Sequence, residues 1–129
     1  MIIDVHYHFM PAMSEKGAVG LVDSMVHAAK KMGLKVDPAQ MLKTAAETWG
    51  DPKCARLIDK MDEGGIDVTV AVMVDNSTIP VFTREKMQIA NKLLADAAAN
   101  HPKRIVALAG LDPRRPEAVE LARLYLEDY

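Results

Sequence analysis

The chain alternates between short apolar stretches and longer stretches with an apolar residue at every third or fourth position. The short stretches, at residues 2–9, 68–74 and 105–109, predict β-strands, and the last two are apolar on both faces, as parallel strands buried on each side are. Helical spacing follows Asp51-Pro52, begins again near Arg84, and returns after Pro116. In this last helix Val119, Ala122 and Leu126 fall on one side, which is expected to face the core. Strands that alternate with helices predict an α/β fold with a parallel sheet and right-handed connections.

Residues 10–50 interrupt this alternation. Apolar residues fall at helical spacing over 18–32 and again over 38–49, where Asp37 and Pro38 form a helix start. Connections in such folds usually take only a few residues. Because the segment leaves from the end of the first strand, it is either a lid over that end or an outer packing hairpin. The sequence favours neither interpretation over the other. As a lid it would bring Trp49 within reach of a substrate.

The first strand carries the most informative polar residues. In a strand of two-residue period, Asp4, His6 and His8 share one face with Ile2, while the opposite face is apolar. Imidazole is the commonest nitrogen ligand for zinc and related ions, and two parallel imidazoles make half of a typical site. The spacing therefore predicts that His6 and His8 bind one divalent metal ion, with Asp4 one step below them.

Composition narrows the class of protein. The 129 residues are 50% hydrophobic and 26% charged, with a formal net charge of −2, as expected for one globular unit. The absence of a basic stripe argues against nucleic acid, and no apolar run approaches the ~20 residues of a membrane span. No basic segment precedes the first strand, so a signal peptide is not expected. Cys54 is the only cysteine, which excludes an intrachain disulfide and fits the cytoplasm; we expect it at a buried helical position.

Three segments resemble one family. Ile3–Phe9 resembles the opening Asp-x-His-x-His strand of the amidohydrolase superfamily, in particular its branch similar to aminocarboxymuconate-semialdehyde decarboxylase. Leu57–Asp67 is similar to that branch's helix and second strand, and Arg104–Pro113 to its third strand and following turn. The resemblance implies a (β/α)8 TIM barrel with its site at the C-terminal ends of the strands. It also implies a divalent metal, usually zinc, held by His6, His8 and a later His and Asp that have no counterpart here.

These expectations give a concrete functional hypothesis. The resemblance implies a metal-dependent hydrolase or non-oxidative decarboxylase for a small carboxylate-bearing or cyclic substrate. Asp4 is expected to hold neighbouring side chains by hydrogen bonds, and Asp75 and Asn76, just past the second strand, are candidates to contact substrate.

The chain is also expected to be the N-terminal portion of a larger barrel, with about three βα units and a helical insertion at 10–50. As such it is expected to be inactive alone and to have its open strands covered by a second copy or by the rest of the barrel. Two alternatives remain: a metal-dependent phosphoesterase or nuclease of another His-x-His barrel family, and a non-catalytic split-barrel subunit.

Overall fold

A computed structural model describes residues 1–11, 15–80 and 82–129. It contains strands and helices in the predicted order. They are β1 (Ile3–His8), α1 (Glu15–Lys31), α2 (Pro38–Thr48), α3 (Ala55–Gly64), β2 (Val68–Val72), α4 (Arg84–Asn100), β3 (Ile105–Leu108) and α5 (Ala118–Glu127). No described helix is both long enough and apolar enough to cross a membrane. The α/β class is confirmed.

The three strands form one parallel sheet in the order β1-β2-β3. The register between β1 and β2 slips by one residue: Asp4 pairs with Thr69, but Tyr7 pairs with Ala71, so three steps on β1 oppose two on β2. Such a bulge changes the face to which the following side chains point. Strict alternation along β1 was therefore wrong. By register, Asp4 lies on the same face of the sheet as Tyr7, and not directly below His8 on the other face.

The main hydrophobic core covers one face of this sheet. Helices α3 and α4 supply Leu57, Met61, Leu94 and Ala97, which pack with residues from the strands. On the opposite face Val106 and Leu108 remain 48% and 49% exposed. The prediction that the strands are buried on both faces thus holds for one face only.

The helix ends follow the expected chemistry, with one correction. The Asp37 carboxylate accepts hydrogen bonds from the backbone at the start of α2, and Gly65, with φ of 65°, ends α3. The Asp51 carboxylate accepts from the backbone N–H groups of Ala55 and Leu57. It therefore caps α3 from four residues away, and Cys54 is buried in the left-handed conformation just before the helix, not on it.

The last helix buries a different side from the one that spacing suggested. Val119 and Leu126, expected to face the core, are 69% and 86% exposed, whereas Leu121 and Tyr125 are buried. The apolar residues of α5 lie on more than one side, so periodicity alone does not single out the buried one.

Residues Ala12–Gly50 form a separate compact unit. Its core is made by Ala18, Val22 and Val26 of α1 with Ala45 of α2, and Trp49 is partly buried against it. Both helices were predicted from periodicity. Trp49 thus has a packing role within this unit, while its contact with substrate stays a prediction.

Candidate metal centre and adjacent loops

His6 and His8 converge at the C-terminal end of β1. Their Nε2 atoms are 2.7 Å apart, and their ring centroids are 4.7 Å apart with the planes tilted by 50°. Both side chains are exposed. The predicted convergence of the two imidazoles is confirmed, and their role as metal ligands stays a prediction.

The two nitrogens suit a divalent metal in type and nearly in position. At 2.7 Å they share a hydrogen bond, in which one ring donates and the other accepts. A tetrahedral ion bound at ~2.0–2.1 Å needs its nitrogen ligands about 3.3 Å apart. Because both rings are exposed, a small rotation supplies that separation. Within the described part of the chain, no group of three or more His, Cys, Asp or Glu residues is placed to hold an ion, so the described residues at this site offer two donors, His6 and His8.

Asp4 supports the histidine segment through the backbone. Its Oδ1 accepts a hydrogen bond from the backbone N–H of His6 at 3.1 Å, which spans the position of the bulge. The carboxylate therefore fixes the course of the strand just before the imidazoles. Its predicted bonds to neighbouring side chains remain a prediction.

Asp75 is occupied by a buried ion pair. Its side chain is 1% exposed, and its two oxygens accept from Nε and Nη2 of Arg115 at 2.7 and 2.6 Å. One oxygen also accepts from the backbone N–H of Asp112 at 2.9 Å. Arg115 in turn donates to the carbonyl oxygen of Phe82. The carboxylate therefore ties the loops after β2 and β3 together, and the contact of Asp75 with substrate stays a prediction.

Asp112 is the second junction between these loops. Its carboxylate accepts from the backbone N–H and hydroxyl of Ser77 at 2.8 and 2.7 Å, and from the Arg114 guanidinium. These hydrogen bonds, from Arg114 first and then Ser77, hold the pKa of Asp112 far below its usual range. Asn76 lies beside this junction, where its Oδ1 accepts from Thr78 and from Arg114 at 3.1 Å. Its contact with substrate stays a prediction.

A buried asparagine joins α4 to the end of β3. Asn91 Oδ1 accepts from the backbone N–H of Gly110 at 2.8 Å, and Nδ2 donates to the carbonyl of Gly110 at 3.0 Å and to that of Met87. Gly110 lies against Met73 so closely that a Cβ would be 2.2 Å from the Met73 carbonyl oxygen. Neither residue was predicted from the sequence. The available signal was a polar residue on the otherwise apolar side of α4.

Comparison with known proteins supports the fold. No family model matches the chain. Among solved structures, 4-oxalomesaconate hydratase from Rhodopseudomonas palustris aligns over all of this chain and 40% of its own, with a TM-score of 0.54 and 20% identity. A structure described as amidohydrolase II gives 0.57 and 19% over 99% of this chain and 37% of its own.

A third structure, 5-carboxyvanillate decarboxylase from Novosphingobium aromaticivorans, was solved with manganese and 4-hydroxy-3-methoxy-5-nitrobenzoic acid. It gives a TM-score of 0.60 and 21% identity over 98% of this chain and 39% of its own. These structural neighbours are TIM-barrel members of the amidohydrolase superfamily. The chain spans about 40% of their length and has the fold of part of such a barrel.

Proposed function

We propose that this chain provides the metal-binding strand of an amidohydrolase-type enzyme, a metal-dependent hydrolase or non-oxidative decarboxylase for a small carboxylate-bearing or cyclic substrate. The observation that carries the proposal is the 2.7 Å approach of the His6 and His8 Nε2 atoms at the end of β1. It is supported by a fold shared with a hydratase and with a decarboxylase whose structure contains manganese and an aromatic acid.

In this proposal some of the described residues bind the metal ion and others hold the strand and loops around it in place. His6 and His8 hold the ion, and Asp4 fixes the backbone that presents them. The Asp75–Arg115 pair and the Asp112 junction hold the two loops that follow β2 and β3. A bound divalent ion supplies Lewis acidity, which polarises a substrate oxygen or lowers the pKa of water. We favour zinc, because neutral imidazole suits it well, with manganese as the alternative.

The remaining donors come, in this proposal, from strands that complete the barrel. Two imidazoles leave an ion short of the three protein ligands of a typical catalytic site. The exposed face that carries Val106 and Leu108 is where such strands would pack. We propose that they belong to the same polypeptide, to a second copy or to a partner chain. A second candidate is a non-catalytic split-barrel subunit, which agrees equally well with two imidazoles and no third donor among the described residues.

Calorimetric titration with zinc and with manganese tests the binding step. We expect one ion per chain, with affinity reduced at least about tenfold in His6→Asn and in His8→Asn, because each loses one of two ligands. His27→Asn is the matched control, since His27 lies exposed on α1, and it should bind as the unaltered chain does. Equal affinity in all four proteins would refute the proposed ligands.

The enzyme and the non-catalytic subunit differ in the further metal ligands that are present besides His6 and His8 of β1. The enzyme requires a histidine on a middle strand and a late aspartate, as the superfamily resemblance implies. Sequencing the DNA that follows the coding segment, in the source genome, distinguishes them. Barrel strands bearing those two residues support the enzyme, whereas their absence there and in any co-purifying partner favours the non-catalytic subunit.

A further inference from the structure

A cavity of about 310 Å³ lies between α4, α5 and β3, and we name it the α4–α5 groove. Five of its wall residues are alanines, contributed by α4 and by β3 with the residue after it, and Leu94 adds a further apolar surface. Tyr125 and Tyr129 of the C-terminal segment form the remaining side, with ring centroids 5.5 Å apart. The small alanine side chains leave the space that larger core residues would fill.

A buried hydroxyl in this groove has no hydrogen-bond partner in the part of the chain that the structure describes. Tyr125 is 7% exposed, and its hydroxyl has no hydrogen-bond partner of normal geometry among the described residues, although the Asn91 amide beside it acts to lower its pKa. The neighbouring Asn91 amide bonds instead to the backbone of Gly110 and Met87. Buried tyrosine hydroxyls usually find a partner. Burial raises the pKa of Tyr125, so the hydroxyl is protonated and able to donate at neutral pH.

We propose that the α4–α5 groove binds a small neutral aromatic molecule of the phenol type, whose polar group pairs with the Tyr125 hydroxyl. An apolar cavity of ~150 Å³ accepts benzene, so about twice that volume accommodates a substituted single ring. The two tyrosine rings offer an aromatic surface for it.

The walls also define the charge of the ligand. No side chain that lines the groove carries a formal charge, and burying an unpaired ionised group is costly. A neutral phenol therefore fits, whereas a carboxylate does not. The groove shares no residue with the His6–His8 pair, so this inference stands independently of the proposed function.

Titration of the isotope-labelled 129-residue chain with p-cresol, followed by ¹⁵N–¹H NMR, tests the proposal. We expect saturable shifts at the amides of Ala95, Ala98, Ala107 and Tyr125. Ala98→Leu, which fills the groove, should abolish them. Tyr125→Phe should weaken binding about three- to tenfold, as loss of one neutral hydrogen bond does. Benzoate should bind at least about tenfold more weakly than p-cresol, because its carboxylate would be buried without a partner.

Two controls keep the outcome interpretable. Ala28→Leu introduces the same side chain at an exposed position of α1 and should leave p-cresol binding unchanged. Tyr129→Phe also removes one tyrosine hydroxyl, but it leaves the unpaired hydroxyl of Tyr125 in place. No saturable shift in the unaltered chain, or equal binding by Ala98→Leu, would overturn the proposal. So would sedimentation showing a dimer of the unaltered chain that Ala98→Leu converts to a monomer, because a second copy would then occupy the groove.

Discussion

The hydrogen bonds between Asn91 and Gly110 allow the sharpest stability prediction. In Asn91→Ala the backbone N–H and carbonyl of Gly110 lose partners at 2.8 and 3.0 Å, and Gly110 is buried. Each buried group left unpaired costs about 1–3 kcal/mol. The carbonyl of Met87 retains its helical backbone partner, so it adds little. Because water can enter part of the vacated space, we expect the free energy of unfolding to fall by about 2–4 kcal/mol, a large fraction of a typical ~5–15 kcal/mol.

Urea unfolding followed by far-ultraviolet circular dichroism measures this loss. Asn100→Ala is the matched control, because Asn100 is exposed at the end of the same helix, and it should change the free energy by no more than about 0.5 kcal/mol. Asn91→Asp keeps the acceptor for the Gly110 N–H but loses the donor, so it should also be strongly destabilised. If Asn91→Ala and Asn100→Ala unfold at the same urea concentration, the bonds to Gly110 do not stabilise the chain as argued.

Three further predictions concern other parts of the structure. Gly110→Ala should lower the free energy of unfolding by about 1–3 kcal/mol in urea titrations, because its Cβ would meet Met73. Gly20→Ala in α1, with open space around it, should raise that free energy by about 0.5–1 kcal/mol. If Gly110→Ala were the more stable of the two variants, the described packing would be contradicted. Burial raises the pKa of Cys54 to about 11, so iodoacetamide at pH 8 should modify the folded chain at least about 100-fold more slowly than the urea-unfolded chain, and similar rates would show an accessible thiol. The Asp112 carboxylate has a lowered pKa in the folded chain, so its stabilising contribution is present above pH ~4 and is lost as the pH falls below that value. In Asp112→Asn the free energy of unfolding should therefore fall less steeply at acid pH than in the unaltered chain. An unchanged slope would refute this prediction.

Local chemistry explains why much of the fold was predictable. Asp37 before Pro38 and Gly65 after α3 act within a few residues, and the structure uses them as expected. The alternation of strands and helices likewise led to the parallel sheet. The bulge in β1 was not visible, because the sequence alternates regularly across it and only pairing with β2 reveals the slip. The buried side of α5 was equally hidden, since it depends on which elements pack there.

The candidate site was predictable only where its residues are neighbours in sequence. His6 and His8 are two positions apart on one strand, so their convergence followed from strand geometry. Asp75 was named as a candidate to contact substrate, and its ion pair was not foreseen, because Arg115 lies 40 residues further along the chain and no local pattern connects the two. Asn91 and Gly110 are likewise joined across 19 residues. Pairings of this kind depend on how the loops and helices come together in three dimensions.

Anomalous X-ray scattering at the zinc absorption edge, from crystals grown with zinc, tests the metal assignment most directly. We predict an anomalous peak within about 2.0–2.2 Å of the Nε2 atoms of both His6 and His8, with those atoms moved apart to about 3.3 Å. The same measurement on His6→Asn should show the peak lost or greatly weakened. A peak bound elsewhere, or imidazoles that keep their 2.7 Å hydrogen bond in saturating zinc, would contradict the account.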